Sequence, residues 1–131
     1  MRIKYIILIT AFLFASCETQ DCNLCEHSKT STAPVTVKVT IDEEQQDGVP
    51  VEFYEDELKE DNRVATVLAE NETEEYNIKT EQEYVVKAEY YRGLDTIAAV
   101  DVVEIEFSSP DRCNSPCYIP SGEEVNVQLK Q

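Results

Sequence analysis

Four cysteines have the residue type and the spacing for specific chemistry. Two residues separate Cys22 from Cys25, and three separate Cys113 from Cys117. Such pairs can form disulfides, hold zinc through thiolates, or act as a redox pair. Zinc ribbons usually have two intervening residues in both pairs, and no strand–helix pattern of a thioredoxin fold surrounds the first pair. The sequence therefore favours two disulfides over zinc and over redox chemistry, with three pairings open.

Carboxylates form the second group that could do chemistry. Acidic side chains from two separate loops can converge on a calcium ion, although the spacing here matches no EF-hand loop. Acidic runs in turns are more often only solvated, and the chain lacks tryptophan, so glycoside hydrolysis is not indicated. We expect no resident cofactor, with calcium or glycan binding as the alternative. The candidate ligand residues are Asp42, Glu43, Glu44, Asp47, Glu70, Glu72 and Glu74.

Three further positions are candidates for binding or modification. Tyr91 and Arg92 form a small candidate binding patch, and Asp95-Thr96-Ile97 resembles a short O-glycosylation motif of some Gram-negative envelopes, with Thr96 as acceptor. The single histidine, His27, lies in a polar segment without a rigid nucleophile beside it. Because nucleophile, base and catalytic metal ligands are all missing, the sequence predicts that the protein is not an enzyme.

Residues 1–16 have the pattern of a secretion signal, with basic residues before an apolar run from Tyr5 to Phe14. The segment Phe14-Ala15-Ser16-Cys17 resembles the lipobox of Gram-negative lipoproteins. This resemblance implies cleavage after Ser16, lipidation of Cys17, and membrane anchoring by several acyl chains. The next residue is Glu18 and not the aspartate that retains lipoproteins at the inner membrane. The resemblance therefore implies the outer membrane, on either its periplasmic or its cell-surface face.

The composition limits the number of domains and the classes of partner. Cleavage after residue 16 leaves 115 residues (131 − 16), which suits one domain with one core. The formal charge is −16, and becomes −18 when the leader's two positive charges are removed. Such a field repels nucleic acid and permits basic or cationic partners. Besides the membrane reached through the lipid anchor, we expect an envelope protein or a glycan as partner.

Apolar and polar residues alternate from Pro34 onward, which predicts strands. Turn residues separate them at Asp47-Gly48 and Arg92-Gly93. Changes of parity at 99–100 and 102–103 predict a bend or bulge in the sixth strand. The seven predicted strands lie at 35–41, 49–53, 63–69, 76–78, 84–90, 96–107 and 125–129.

Three stretches within this pattern, Val35–Ile41, Asp47–Tyr54 and Glu83–Gly93, are together similar to transthyretin-like sandwiches. In that group, which includes carboxypeptidase regulatory-like and collagen-adhesin B-type modules, a Gly-x-Pro-Val turn leads into the second strand. A Tyr-x-Val-x-Ala strand then ends in a glycine turn. The resemblance covers residues 35 to about 93. It implies a seven-stranded antiparallel β-sandwich of immunoglobulin-like or transthyretin-like type, used mostly as a spacer, stalk or binding domain.

Consecutive antiparallel strands place their loops alternately at the two ends of a sandwich. The loops predicted at one end, here named the acidic end, are 42–48, 70–74 and 92–94. The loops predicted at the other, the cysteine end, are 55–62, 80–82 and 108–122, together with the tether. Pairing tether cysteines with loop cysteines would close rings of about 90 residues, worth about 4–5 kcal/mol. We therefore predict long-range disulfides, with the connectivity open.

The predicted organisation is a signal peptide at 1–16, a lipidated cysteine with a flexible tether at 17–34, and a β-sandwich at 35–131. We expect a non-catalytic outer-membrane lipoprotein, serving as a structural or binding accessory module of the cell envelope. The alternative is a surface lipoprotein that binds calcium or a glycan through its acidic loops.

Overall fold

Alternating burial along the strands builds the fold. The structure, a computed structural model, describes residues 22–130. In β1 (Thr32–Lys38), the side chains of Ala33, Val35 and Val37 are buried, whereas those between them are exposed or half-buried. Because successive side chains of a strand point to opposite faces, one face of β1 is apolar and must pack against another layer.

Nine strands and three short 3-10 helices occupy the described residues. After β1 the strands are β2 (Val49–Glu55), β3 (Arg63–Ala69), β4 (Thr73–Lys79), β5 (Glu83–Arg92), β6 (Asp95–Glu104), β7 (Glu106–Ser108), β8 (Ile119–Ser121) and β9 (Glu124–Asn126). The 3-10 helices span Cys22–Leu24, Glu43–Gln45 and Glu60–Asn62. Within residues 22–130, no helix is long and apolar enough to cross a membrane.

Two sheets face each other across the core. One has the order β4-β1-β9 and the other the order β3-β2-β5-β6, while β7 and β8 form a separate two-stranded sheet. The four-stranded sheet is antiparallel throughout, and so is the β1–β4 pair. The predicted all-β sandwich is confirmed. The β1–β9 pair is parallel, and it is the exception to the predicted antiparallel arrangement.

The strand count differs from the predicted seven for two reasons. The predicted sixth strand is interrupted at Ile105, which separates β6 from β7, and the predicted loop 108–122 contains β8. The predicted irregularities at 99–100 and 102–103 are wrong, because β5 and β6 pair without a register shift along their whole length. The parity changes there because Val100 and Val102 face outward and are about half-exposed, at 50% and 51%.

Tyr90 connects the two sheets within the core. It lies on β5 and is fully buried. Its hydroxyl accepts a hydrogen bond from the Thr40 amide at 3.1 Å and donates one to the Val127 carbonyl at 2.5 Å. Thr40 and Val127 follow β1 and β9 in the opposite sheet, so a single side chain holds three strand ends together near the acidic end.

The contacts confirm the predicted division of the loops between two ends. At the acidic end, the Val39 amide donates to the Glu72 carbonyl at 3.0 Å. At the cysteine end, the Glu81 amide donates to the Ile105 carbonyl at 2.8 Å, and the Asp56 amide to Glu83 at 3.1 Å. The two groups of candidate residues therefore lie at opposite ends of the sandwich.

Candidate functional site

Two disulfides clamp the amino-terminal segment to the cysteine end. Cys22 is bonded to Cys113 and Cys25 to Cys117, with Cα–Cα distances of 5.5 and 4.8 Å. The sequence separations are 91 and 92 residues, so the predicted long-range pairing is confirmed. The structure also gives the connectivity that spacing alone left open.

Polar contacts continue the clamp along the segment that leads to β1. Glu26 and Tyr118 exchange two backbone hydrogen bonds, at 3.0 and 2.9 Å. The Lys29 ammonium lies 5.7 Å from the Tyr118 ring centre and 2.7 Å from a carboxylate oxygen of Glu81. The hydrogen bond to Glu81 raises the pKa of Lys29. β1 then begins at Thr32, three residues before the predicted domain boundary.

The positions of the cysteine sulfurs bear on the choice between disulfides and a zinc site. The sulfurs of Cys22, Cys25 and Cys113 lie within 4.8 Å of one another, and no other group of three Cys, His, Asp or Glu side chains in residues 22–130 is close enough to share an ion. Cysteine binds zinc as the thiolate, and a disulfide sulfur is not a thiolate. The structure therefore supports disulfide chemistry at this end. The predicted lipidation site, Cys17, lies outside the described residues.

At the acidic end, Arg92 occupies the carboxylates predicted to bind a cation. Its guanidinium lies 2.8 Å from Asp42 and 3.1 Å from Glu44. Asp42 also accepts a hydrogen bond from the Glu44 amide at 3.0 Å, which caps the 3-10 helix Glu43–Gln45. The pKa of Asp42 is lowered, chiefly by Arg92. This part of the candidate site is therefore a partly exposed cluster of ion pairs within the chain.

The second acidic loop is organised around Glu74. One oxygen accepts hydrogen bonds from the amides of Glu70 and Asn71, at 2.7 and 2.9 Å, and the other accepts one from the Tyr76 hydroxyl at 2.8 Å. The pKa of Glu74 is lowered, chiefly by Tyr76. The remaining candidates, Glu43, Asp47, Glu70 and Glu72, are exposed.

Of the two residues of the candidate binding patch, Tyr91 is exposed, whereas Arg92 is already paired with Asp42 and Glu44. Tyr91 is 55% exposed, and its carbonyl accepts a hydrogen bond from the buried side chain of Gln45 at 2.7 Å. Thr96 is exposed and lies directly opposite Tyr91 in the β5–β6 ladder. Gln45 stands within a polar run of the sequence, so no local signal distinguished it from its solvated neighbours.

The outer face of the four-stranded sheet carries a polar network that sequence reasoning missed. Glu52 accepts hydrogen bonds from Lys87 at 2.7 Å, Arg63 at 3.0 Å and the Tyr54 hydroxyl at 2.5 Å. Lys87 also contacts Glu89 at 2.9 Å. Lys87, and then Tyr54, lower the pKa of Glu52 to about 2. The only available signal was the alternation that places Glu52 and Lys87 outward, because their pairing needs the β2–β5 register.

No family model, no curated protein and no solved structure matches this chain significantly. Its class is therefore defined by its own fold and clamp. It is a small all-β sandwich in which two disulfides fasten the amino-terminal segment to one end, while acidic loops occupy the other.

Proposed function

We propose that this chain is a lipid-anchored, non-catalytic module of the Gram-negative outer membrane. It has a transthyretin-like sandwich and presents its acidic end for binding or as a spacer. The observation that carries this proposal is the double disulfide clamp. It attaches the segment that follows the lipobox-like motif to one defined end of the sandwich.

The length of the intervening segment supports the proposed orientation. Cys22 follows Cys17 by five residues, which span at most about 18 Å when fully extended. Lipidation of Cys17 would therefore keep the cysteine end close to the bilayer. The acidic end lies a strand length away, about 30 Å for β5 (Glu83–Arg92). The net charge of −16 would also keep the sandwich from lying against anionic lipid headgroups.

The contacts at the acidic end support a role without catalysis. Arg92 forms ion pairs with Asp42 and Glu44, and Glu74 is held by backbone amides and a tyrosine hydroxyl. Groups that are already saturated in this way shape a loop surface more readily than they transfer protons. The surface they form would contact an envelope protein or a glycan.

Metabolic labelling with a clickable fatty acid tests the proposed anchor. We expect label in the wild-type protein and recovery in the outer-membrane fraction. Cys17→Ser should lose both. Ser16→Ala is the matched control, because a small residue remains before the cysteine, and it should keep both. Unlabelled wild-type protein, or a C17S variant that stays anchored, would disprove lipidation at this residue.

A further inference from the structure

Within residues 22–130, no strand lies beside the outer edge of β6. In this part of the chain β6 pairs with β5 alone, and the hairpin between them closes on the Arg92–Asp95 pair across two residues. In a two-residue hairpin the closing pair is hydrogen-bonded, and bonded and non-bonded pairs alternate from there. Residues of the non-bonded pairs direct their backbone N–H and C=O groups away from β5. These residues are Thr96, Ala98, Val100, Val102 and Glu104.

The half of this edge nearest the cysteine end is covered. The Val102 amide donates to Asp101 Oδ1 at 2.9 Å, and Asp101 Oδ2 accepts from the Asn126 amide at 3.0 Å, which bridges β6 to β9. Gly122 lies against the outward carbonyl of Glu104, because a Cβ atom at position 122 would be only 2.3 Å from that carbonyl oxygen. These contacts also confirm the direction in which the edge groups point.

In the part of the chain that the structure describes, no segment pairs with the half nearest the acidic end. No hydrogen bond joins the outward backbone groups of Thr96, Ala98 or Val100 to another segment of residues 22–130. A groove of about 500 Å³ runs between this edge and the residues that follow β9. Ile97, Ala99 and Leu129 contribute apolar side chains to it, and Arg92 and Lys130 also line it. Edge strands are usually protected by charges, and residues 96–100 carry none.

We propose that the free edge of β6 from Thr96 to Val100 binds an extended, basic segment of another protein as an added strand. Backbone groups repeating every second residue, about 6.8 Å apart, are complementary to another strand. Alternate apolar side chains of that segment would contact Ile97, Ala99 and Leu129. The chain's charge of −16 would attract its lysines or arginines. This inference goes beyond lipid anchoring, and only the exclusion of the chain's own amino-terminal segment rests on the proposed cleavage.

Two other occupants fit the same edge less well. A second copy of this chain could pair through β6, but each copy carries the same charge of −16 and would repel the other. The chain's own amino-terminal segment is bonded through Cys22 to the opposite end. After the proposed cleavage, the five residues from Cys17 to Cys22 reach at most about 18 Å, less than the distance of about 20 Å that β6 spans from Ala98 to Glu104 alone. A basic foreign segment is attracted by the net charge and is not fixed elsewhere. Of the two cations that line the groove, Arg92 is already paired with Asp42 and Glu44, which leaves Lys130.

Amide hydrogen exchange on the full chain in mild nonionic detergent, read by NMR, tests the proposal. The probe is a capped heptapeptide of alternating lysine and valine, with an alternating glutamate–valine peptide and a scrambled lysine–valine peptide as controls. We expect only the alternating basic peptide to slow exchange at Thr96, Ala98 and Val100. Ile97 and Ala99 are already protected by β5 and should change little.

Variants at position 98 provide the matched test. Proline at 98 removes an outward N–H that makes no bond to β5, so Ala98→Pro should leave the sheet intact. We expect A98P to weaken binding of the basic peptide at least about tenfold. Ala98→Val keeps the N–H and should bind like the wild type. If A98P does not fold, exchange in the wild-type protein decides the question.

Several results would overturn the proposal. One is no protection at these amides with millimolar basic peptide, and another is equal binding by A98P and A98V. Protection confined to β3, the other edge of the same sheet, or to the acidic loops would locate binding elsewhere. A concentration-dependent dimer that protects the same amides without peptide would assign the edge to a second copy.

Discussion

At the scale of single residues, two polar side chains, Tyr90 and Glu52, link strands of this sandwich through several contacts each. Tyr90 is fully buried and bonded to backbone on both sides, whereas its neighbour Tyr91 is 55% exposed. Glu52 collects two cations and a tyrosine hydroxyl on the outer face, with its side chain only 13% exposed. Removing the Tyr90 hydroxyl leaves two backbone groups without that partner, whereas removing the Glu52 carboxylate leaves Lys87 paired with Glu89 and Arg63 with Glu60. Both are good targets for mutation.

Tyr90→Phe should lower the free energy of unfolding by about 1–3 kcal/mol, because the Thr40 amide and the buried Val127 carbonyl lose their partner. Urea denaturation measures the change. Tyr91→Phe is the control and should stay within about 0.5 kcal/mol of the wild type. Equal effects of the two substitutions would mean that the hydroxyl of Tyr90 does not hold the sheets together.

The pKa of Glu52 gives a prediction for acid stability. Since it is lowered from 4.5 to about 2, the stabilisation it provides is present above pH 4.5 and is lost as the pH falls toward about 2. By about pH 3 the loss should be about 2 kcal/mol. Glu52→Gln should remove this part of the pH dependence in urea titrations at about pH 6 and about pH 3. Glu60→Gln, at a carboxylate 70% exposed, should not.

At the scale of elements, the disulfides act on two segments that are already neighbours. Once Cys25–Cys117 has closed a long ring, Cys22–Cys113 closes only a small additional ring through 22–25 and 113–117. In the chain-entropy model the stabilisation grows with the logarithm of ring size. The two bonds should therefore contribute in a non-additive way.

Removing one pair by Cys22→Ser with Cys113→Ser should cost about 2–3 kcal/mol, and removing both pairs about 7 kcal/mol. Thermal and urea unfolding measure both variants. When the wild-type protein is treated with an alkylating reagent without reductant, its intact mass should show that none of these four cysteines has been alkylated. Additive losses of equal size, or alkylated cysteines in the wild type, would contradict the clamp as described.

At the scale of the whole molecule, the net charge of −16 raises the question of whether calcium stabilises the fold by binding its carboxylates. Arg92 already pairs with Asp42 and Glu44, so calcium could bind these carboxylates only by displacing the Arg92 guanidinium. Millimolar calcium chloride should therefore raise the melting temperature by less than about 1 °C beyond sodium chloride of matched ionic strength. A larger, saturable shift would favour the calcium-binding alternative and would identify the acidic end as a metal site.

The alternation of residues with period two was enough to predict an all-β sandwich, because side-chain direction in a strand is a local property. It predicted β3 at its observed bounds and the buried face of β5. Counting alternate strands also assigned every predicted loop to its correct end. The same pattern misjudged Val100 and Val102, because sequence alone does not distinguish an outward valine from a buried one.

What the sequence by itself determined was the strand class, the two ends and the long-range character of the disulfides. The tertiary structure decided which cysteines meet, the parallel β1–β9 pair, the pairing of Arg92 with Asp42, and the uncovered edge of β6. Each of these depends on the register between segments distant in the chain. Register is set by packing of the whole core, which no local pattern encodes.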